Sequence, residues 1–238
     1  MFLDSYYLEE NGVFSFTREQ ASHFAKKIAG DFNPIHDEDN KRFCVPGDLL
    51  FSVVLSRAGI SKKMRFEFAG MINDGVGLKA HHSCFNDFAI VDDAGKEYLH
   101  VTREGDINTD KTLIEQVTKN YVQFSGMNFP HIMVPLMKSK DIMINTVRPL
   151  VIYESMELNF DRLDLTAPTV ELAESQIEVE GKRGSVTLNF HFKENGEVVG
   201  TGRKRMLMSG LKPYSQEAID DLVERFNARK TLFSSAAA

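Results

Sequence analysis

The sequence predicts an α+β protein built from two like halves, each with helices followed by an antiparallel sheet. Three observations predict it. A helix, a loop, a buried helix and a run of short strand segments follow one another up to about residue 106, a similar order then returns, and 238 residues suit one large domain or two of roughly 120. The halves are numbered 1–105 and 106–212, with a C-terminal helix and tail at 213–238. They share an order of elements and not residue identities, so a single undivided α+β sheet is the nearest competing arrangement.

The first helix starts at Thr17, because Thr17-Arg18-Glu19-Gln20 has capping-box form and Ala21, Phe24, Ala25 and Ile28 recur at helical spacing. It ends at Gly30. The segment from Asp48 to Ile60 is apolar on nearly every face (Leu49, Leu50, Phe51, Val53, Val54, Leu55), and its length favours a buried helix over a strand. Strand-like segments follow at 65–71, 76–81, 87–91 and 98–103. In the second half, 110–124 is helical through Leu113, Ile114, Val117, Tyr121 and Phe124, and an apolar stretch runs from His131 to Ile144. Strands return at 152–160, 170–179, 185–192 and 198–208, the last two joined by the hairpin turn Asn195-Gly196. Ile219, Leu222, Val223 and Phe226 mark a final amphipathic helix, and Ser234 to Ala238 read as a loose tail.

Composition sets broad limits. The chain is 42% hydrophobic and 26% charged, so a packed core is expected throughout. A formal charge of −6 argues against a nucleic-acid surface. The clusters Lys62-Lys63 and Arg203-Lys204-Arg205 read as a solvated helix end and a solvated strand face. Cys44 and Cys84 form no disulfide framework, Met1-Phe2-Leu3-Asp4 does not open a secretory leader, and no run approaches the roughly 20 apolar residues of a membrane span. The expected location is the cytoplasm, with no membrane partner. No metal is expected, since His81 and His82 fall on opposite faces of a strand. No phosphate-binding glycine loop is present, and no cofactor is expected.

The segment that carries chemistry is Gly30-Asp31-Phe32-Asn33-Pro34-Ile35-His36. Proline restricts the residue before it, so the chain must leave its helix here and turn. The turn can bring the Asp31 carboxylate beside the His36 imidazole, a pair equipped to activate water and move a proton. The competing reading is an ordinary helix-ending turn in which Asp31 and Asn33 bond only local backbone.

Residues 29–56 resemble the MaoC-like family, known for (R)-specific enoyl-thioester hydratases. Gly30, Asp31, Asn33, Pro34, Ile35 and His36 fill every specified position of its G-D-x-N-P-(I/L/V)-H signature. Arg42 to Leu50 fits the aromatic-flanked approach to a glycine that starts a buried helix. The resemblance implies a hotdog fold, and two such halves would make a double hotdog, a monomer or a homodimer of such chains. It implies that Asp31 and His36 are the catalytic pair for water addition to a 2-enoyl thioester, that Asn33 holds the loop, and that the Gly47 N–H binds the thioester oxygen. Ser52 and Ser56 lie near that site without a settled register. The substrate would be an acyl thioester, of coenzyme A rather than acyl carrier protein given the acidic surface, with Arg57, Lys62 and Lys63 as candidates to meet its phosphates.

Two positions depart from the family pattern. Pro46 stands where histidine is common, and Asp37-Glu38-Asp39 puts an acidic run beside the imidazole. In the second half, Ser125-Gly126-Met127-Asn128-Phe129-Pro130-His131 has the outline of the signature with methionine in place of the acid, so one active site per chain is expected. Two other readings remain beside the hydratase: a hotdog thioesterase, and a non-catalytic acyl-binding or scaffold protein.

Overall fold

A computed structural model describes residues 2–147 and 149–236, the side chains of 234–236 excepted. Leu8–Glu10 (β1) and Val13–Ser15 (β2) form a small hairpin. Helix α1 (Arg18–His23) starts at Thr17 with the capping box formed on both sides, and the chain continues as a π-helix over Phe24–Ala29. Helix α2 (Gly47–Ala58) stops at Gly59, and β3 (Ile60–Phe68), β4 (Lys79–Cys84), β5 (Asp87–Val91) and β6 (Glu97–Asn108) follow. Next come α3 (Lys111–Gly126), a π-helical turn at Phe129–Met133, α4 (Val134–Ser139) and the short β7 (Ile142–Met143). The chain ends through β8 (Val151–Phe160), β9 (Thr169–Glu180), β10 (Arg183–Glu194), β11 (Glu197–Ser209), β12 (Lys212–Pro213) and α5 (Gln216–Ala236). Of the expected tail, Ala237 and Ala238 lie outside the described residues.

Eight strands form one antiparallel sheet in the order β4-β5-β6-β3-β8-β11-β10-β9. The order repeats. In each four-strand set the strand that enters first lies beside the one that enters last, and the two first strands, β3 and β8, pair with each other. One row of cross-strand partners crosses this seam: Val101, Phe66, Met156, Lys204 and Leu188, all buried.

Helices α2 and α3 cover the face of that row. Phe51 of α2 packs edge-on against Phe66 and Tyr121, at 5.0 and 5.1 Å between centroids, and Tyr121 reaches Phe190 at 5.5 Å. Leu49, Leu50, Phe51, Val53, Val54 and Leu55 are buried on every side of α2, as an apolar run broken only by Ser52 requires. Burying a side chain of this size contributes about 1.5–3 kcal/mol, so this helix anchors the core. A second cluster, with Met133, Met137, Val186, Met206, Met208 and Ile219, lies under α4 and α5.

Two readings of basic residues are corrected. Lys62 and Lys63 lie in β3, not at a helix end, because Gly59 at φ +78° breaks α2 and the strand starts at once. Lys204 is 5% exposed, not solvated. The two-residue period of β11 turns Gly202, Lys204, Met206 and Met208 inward and leaves Arg203 facing solvent. Met143 belongs to β7. No described helix is long and apolar enough to cross a membrane.

Candidate active site

The Asp31–His36 loop is assembled by short-range bonds that the sequence dictates. Gly30 takes φ +67°, the left-handed conformation that ends a helix and that glycine adopts without strain. The Asp31 N–H then donates to the Ala25 carbonyl at 2.8 Å. Asp31 Oδ1 accepts from the Asn33 N–H at 2.8 Å, and Asn33 Oδ1 accepts from the Ile35 N–H at 3.2 Å. These are successive Asx turns, with Pro34 setting φ for one 3₁₀ turn through His36. The Asn40 side chain donates to the Pro34 carbonyl at 2.6 Å and closes the loop. The Asn33 side-chain oxygen is spent on the backbone of this turn.

With one Asp31 oxygen engaged, the other faces the imidazole: Asp31 Oδ2 lies 3.6 Å from His36 Nε2. His36 Nδ1 lies 2.7 Å from the Cys44 carbonyl oxygen. A carbonyl only accepts, so Nδ1 carries the hydrogen and, in the neutral ring, the Nε2 lone pair points toward Asp31. The Cys44 N–H in turn donates to the Ile35 carbonyl at 3.0 Å, which ties both sides of the histidine to one segment. A gap of 3.6 Å is too long for a direct hydrogen bond and too short for an oxygen in line, so a water bonded to both groups at about 2.8 Å would sit to one side of the pair.

Gly47 begins α2 three residues after Cys44. A Cβ there would lie 3.1 Å from Tyr153 and 3.2 Å from Phe68, whose rings stack at 4.2 Å, so glycine lets the aromatic pair close on the helix start. Leu49 and Leu50 donate to the Pro46 carbonyl, while among the described residues the Gly47 and Asp48 N–H groups have no partner. Unpaired N–H groups at a helix start favour negative charge. Ser52 and Ser56 spend their hydroxyls on the carbonyls of Asp48 and Val53.

Beside this helix start lies a polar cluster that the sequence reading does not assemble. Ser125 Oγ donates to Asp48 Oδ2 at 2.6 Å, and Lys204 Nζ donates to the same Ser125 oxygen. Asp48, Ser125 and Lys204 are 8%, 6% and 5% exposed. Lys204 also sits 4.3 Å over the Tyr153 ring, and the Tyr153 hydroxyl is hydrogen-bonded to that of Tyr121. Burial pushes the Asp48 carboxyl up, opposed by Lys204 and by the Ser125 bond, with the Asp31 charge adding to the rise. Burial pushes Lys204 down, opposed by Asp48 and Asp31. Both tyrosines are raised well above the usual phenol range by burial and stay protonated. Asp48 Oδ1 has no partner among the described residues.

Gly126, next to Ser125, seats the loop. A Cβ there would lie 2.0 Å from the Ala29 oxygen, 2.7 Å from the Ala29 carbonyl carbon and 3.1 Å from the Asp31 nitrogen. From the other side α5 covers the loop: Phe32 packs edge-on against Phe226 and Phe233, at 5.7 and 6.0 Å. Of the acidic run, Asp37 is engaged. Asp37 pairs with Lys26 at 3.0 Å and with Arg229 of α5 at 3.3 Å. The proposed phosphate contacts are paired too: Arg57 with Glu9, Lys62 with Asp106 and Lys63 with Glu104. Among the described residues no group of His, Cys, Asp and Glu is arranged to hold a metal.

Sheet, helices and loop together define a double hotdog protein. The chain belongs to the family described as protein of unknown function (DUF3581), which matches residues 1–217. Among solved structures it is similar to a conserved protein of unknown function with hot dog fold from Alicyclobacillus acidocaldarius, at 9% identity and TM-score 0.50, over 88% of this chain and 98% of that one. It is also similar to a MaoC-like dehydratase (8%, TM-score 0.43, 84% and 97%). The tesB protein of Mycobacterium avium subs paratuberculosis is a third (10%, TM-score 0.48, 87% and 97%). Likeness at this level is likeness of fold. A comparison with curated proteins gave no match.

Proposed function

We propose that this protein adds water to 2-enoyl thioesters, or removes it from 3-hydroxyacyl thioesters, at one site per chain formed by Asp31 and His36. The observation that carries the reading is the fixed imidazole: Nδ1 is committed to the Cys44 carbonyl, which leaves Nε2 as a base 3.6 Å from the Asp31 carboxylate. A water bridging them from one side would be oriented by Asp31 and would give a proton to Nε2 as its oxygen bonds to C3. The C2–C3 electron pair moves toward the thioester oxygen, where the Gly47 N–H at the start of α2 would meet the developing charge. Nε2–H then returns the proton to C2, so H and OH have been added and both residues are restored. Acyl thioesters of coenzyme A are the proposed substrates, and Asn33 has the role of holding the turn.

The test is loss of the enoyl absorbance of crotonyl-coenzyme A and of longer enoyl thioesters. Asp31→Asn and His36→Ala are each expected to lower kcat at least about 100-fold, within the range of general acid–base contributions, with unchanged circular dichroism. Wild-type protein inert toward short and long enoyl thioesters alike ends the hydratase reading. Release of free thiol instead of 3-hydroxyacyl product makes the protein a thioesterase.

A further inference from the structure

The Asp48–Ser125–Lys204 chain is anchored to the segments that hold both members of the proposed catalytic pair. Asp48 is the second residue of α2, four residues after the Cys44 carbonyl that fixes the His36 ring. Ser125 precedes Gly126, where an added Cβ would run into the backbone of Ala29 and Asp31. The single bond from Ser125 Oγ to Asp48 Oδ2 therefore joins the seat of Asp31 to the seat of His36, and Lys204 reaches it from β11 across the sheet. The charges of Asp31 and His36 bear on Asp48, and that of Asp31 on Lys204. Buried groups of this kind are little screened by salt. Other charges about the loop are paired elsewhere or, as with Glu38 and Asp39, stand exposed to solvent. Asp37 is held by Lys26 and Arg229, Arg18 is spent on Asp74 and on the carbonyls of Glu38 and Asn40, and the Tyr121 and Tyr153 phenols carry none.

We propose that Asp48 and Lys204, linked through Ser125, are positioning residues of the Asp31–His36 site, a buried and nearly cancelling charge pair that sets the electrical surroundings of the imidazole. Their part in turnover rests on the hydratase reading above; their effect on His36 does not. With both groups ionised, removing either member alone unbalances the pair in a known direction. Asp48→Asn leaves a net positive neighbour and disfavours the imidazolium. Lys204→Met leaves a net negative one and favours it. The double variant removes both charges and leaves neither uncompensated, the exchange that buried ion pairs tolerate best.

The experiment follows the His36 ring resonances against pH by NMR in the wild type, the two single variants and the double variant. Asp48→Asn is expected to move the transition to lower pH and Lys204→Met to higher pH, each by a few tenths of a pH unit or more, the effect of a unit charge near the ring between the bulk-water and near-surface limits. The double variant is expected to return to the wild-type position. If only one single variant folds, its displacement and reversal in the double variant carry the test alone. Displacement of both singles in the same direction, no displacement, or a double variant that fails to return overturns the proposal, because a purely structural role has no reason to reverse sign with charge. With crotonyl-coenzyme A, the acid limb of the kcat profile is expected to move with the resonances. Wild-type protein without turnover defeats the hydratase reading while the NMR series still decides the charge pair.

Discussion

Gly126→Ala puts one methyl group where the loop backbone already stands. The new Cβ would fall 2.0 Å from the Ala29 oxygen and 2.7 Å from its carbonyl carbon, more than 1 Å inside van der Waals contact. Both are backbone atoms of the π-helix end, so no side chain can swing away. Either α3 withdraws from the loop or the Ala29–Asp31 backbone moves. Overpacking of this kind costs about 1–3 kcal/mol, and a chain of this size loses about 2–4 °C of Tm per kcal/mol, so Tm is expected to fall by roughly 2–12 °C. The backbone that moves carries the Asp31 carboxylate, and under the hydratase proposal a misplacement near 1 Å at a reacting group costs about 100-fold in rate. Thermal unfolding and crotonyl-coenzyme A hydration read the two effects on one preparation. Gln123→Ala, on the exposed face of the same helix, is the control and is expected to change stability by no more than about 0.5 kcal/mol. Wild-type Tm and turnover in Gly126→Ala would refute the close approach of α3 to the loop.

Cys44 gives a pH prediction. Burial pushes its thiol up to about 11 from 9.0. The folded state therefore holds the proton more tightly than the unfolded chain, so this stabilising contribution is whole below pH 9 and is lost as pH rises through 11, about 2–3 kcal/mol in all. Denaturant unfolding between pH 9 and 11 should accordingly show a shallower loss in Cys44→Ala than in the wild type, and equal slopes would contradict it. At pH 8 a thiol reagent should modify the exposed Cys84 quickly and the buried Cys44 only on unfolding; two fast thiols per chain would be the contrary result. Phe226→Ala removes the ring that packs on Phe32 and Phe129. It is expected to cost about 1–2 kcal/mol, the value of a half-buried aromatic, and to speed proteolysis in the last turns of α5, with an unchanged digestion rate as the contrary outcome.

Much of the frame is legible in local pattern. The Thr17 capping box, the all-round apolar run of α2 and the Asn195-Gly196 turn each fix backbone through neighbours in sequence, and each is found where those neighbours place it. The loop from Gly30 to His36 is legible for the same reason, since Asx turns and proline act within a few residues. The site's remaining parts depend on residues 77 to 79 positions apart. Asp48 reads as a helix-start residue, Ser125-Gly126 as a decayed motif and Lys204 as one of three surface cations. The period of β11 carries the missing signal for Lys204, because Gly202, Met206 and Met208 share its face, but a basic triplet reads first as charge and only then as a strand with two sides. The π-helix at Phe24–Ala29 has no such signal, as it keeps the apolar spacing of an ordinary helix.

The partner row across the seam has a consequence for how such a fold can diversify. Lys204 lies one strand outside Met156 as Val101 lies one strand outside Phe66, so corresponding places hold an ammonium and an aliphatic group. A dimer of identical subunits must carry every residue twice, and a buried lysine then imposes its desolvation, several kcal/mol per ion, on both copies whether or not both are used. A chain that contains both sets of strands is released from that twofold constraint, so one flank can hold the charge while the other keeps the apolar packing that stabilises the sheet.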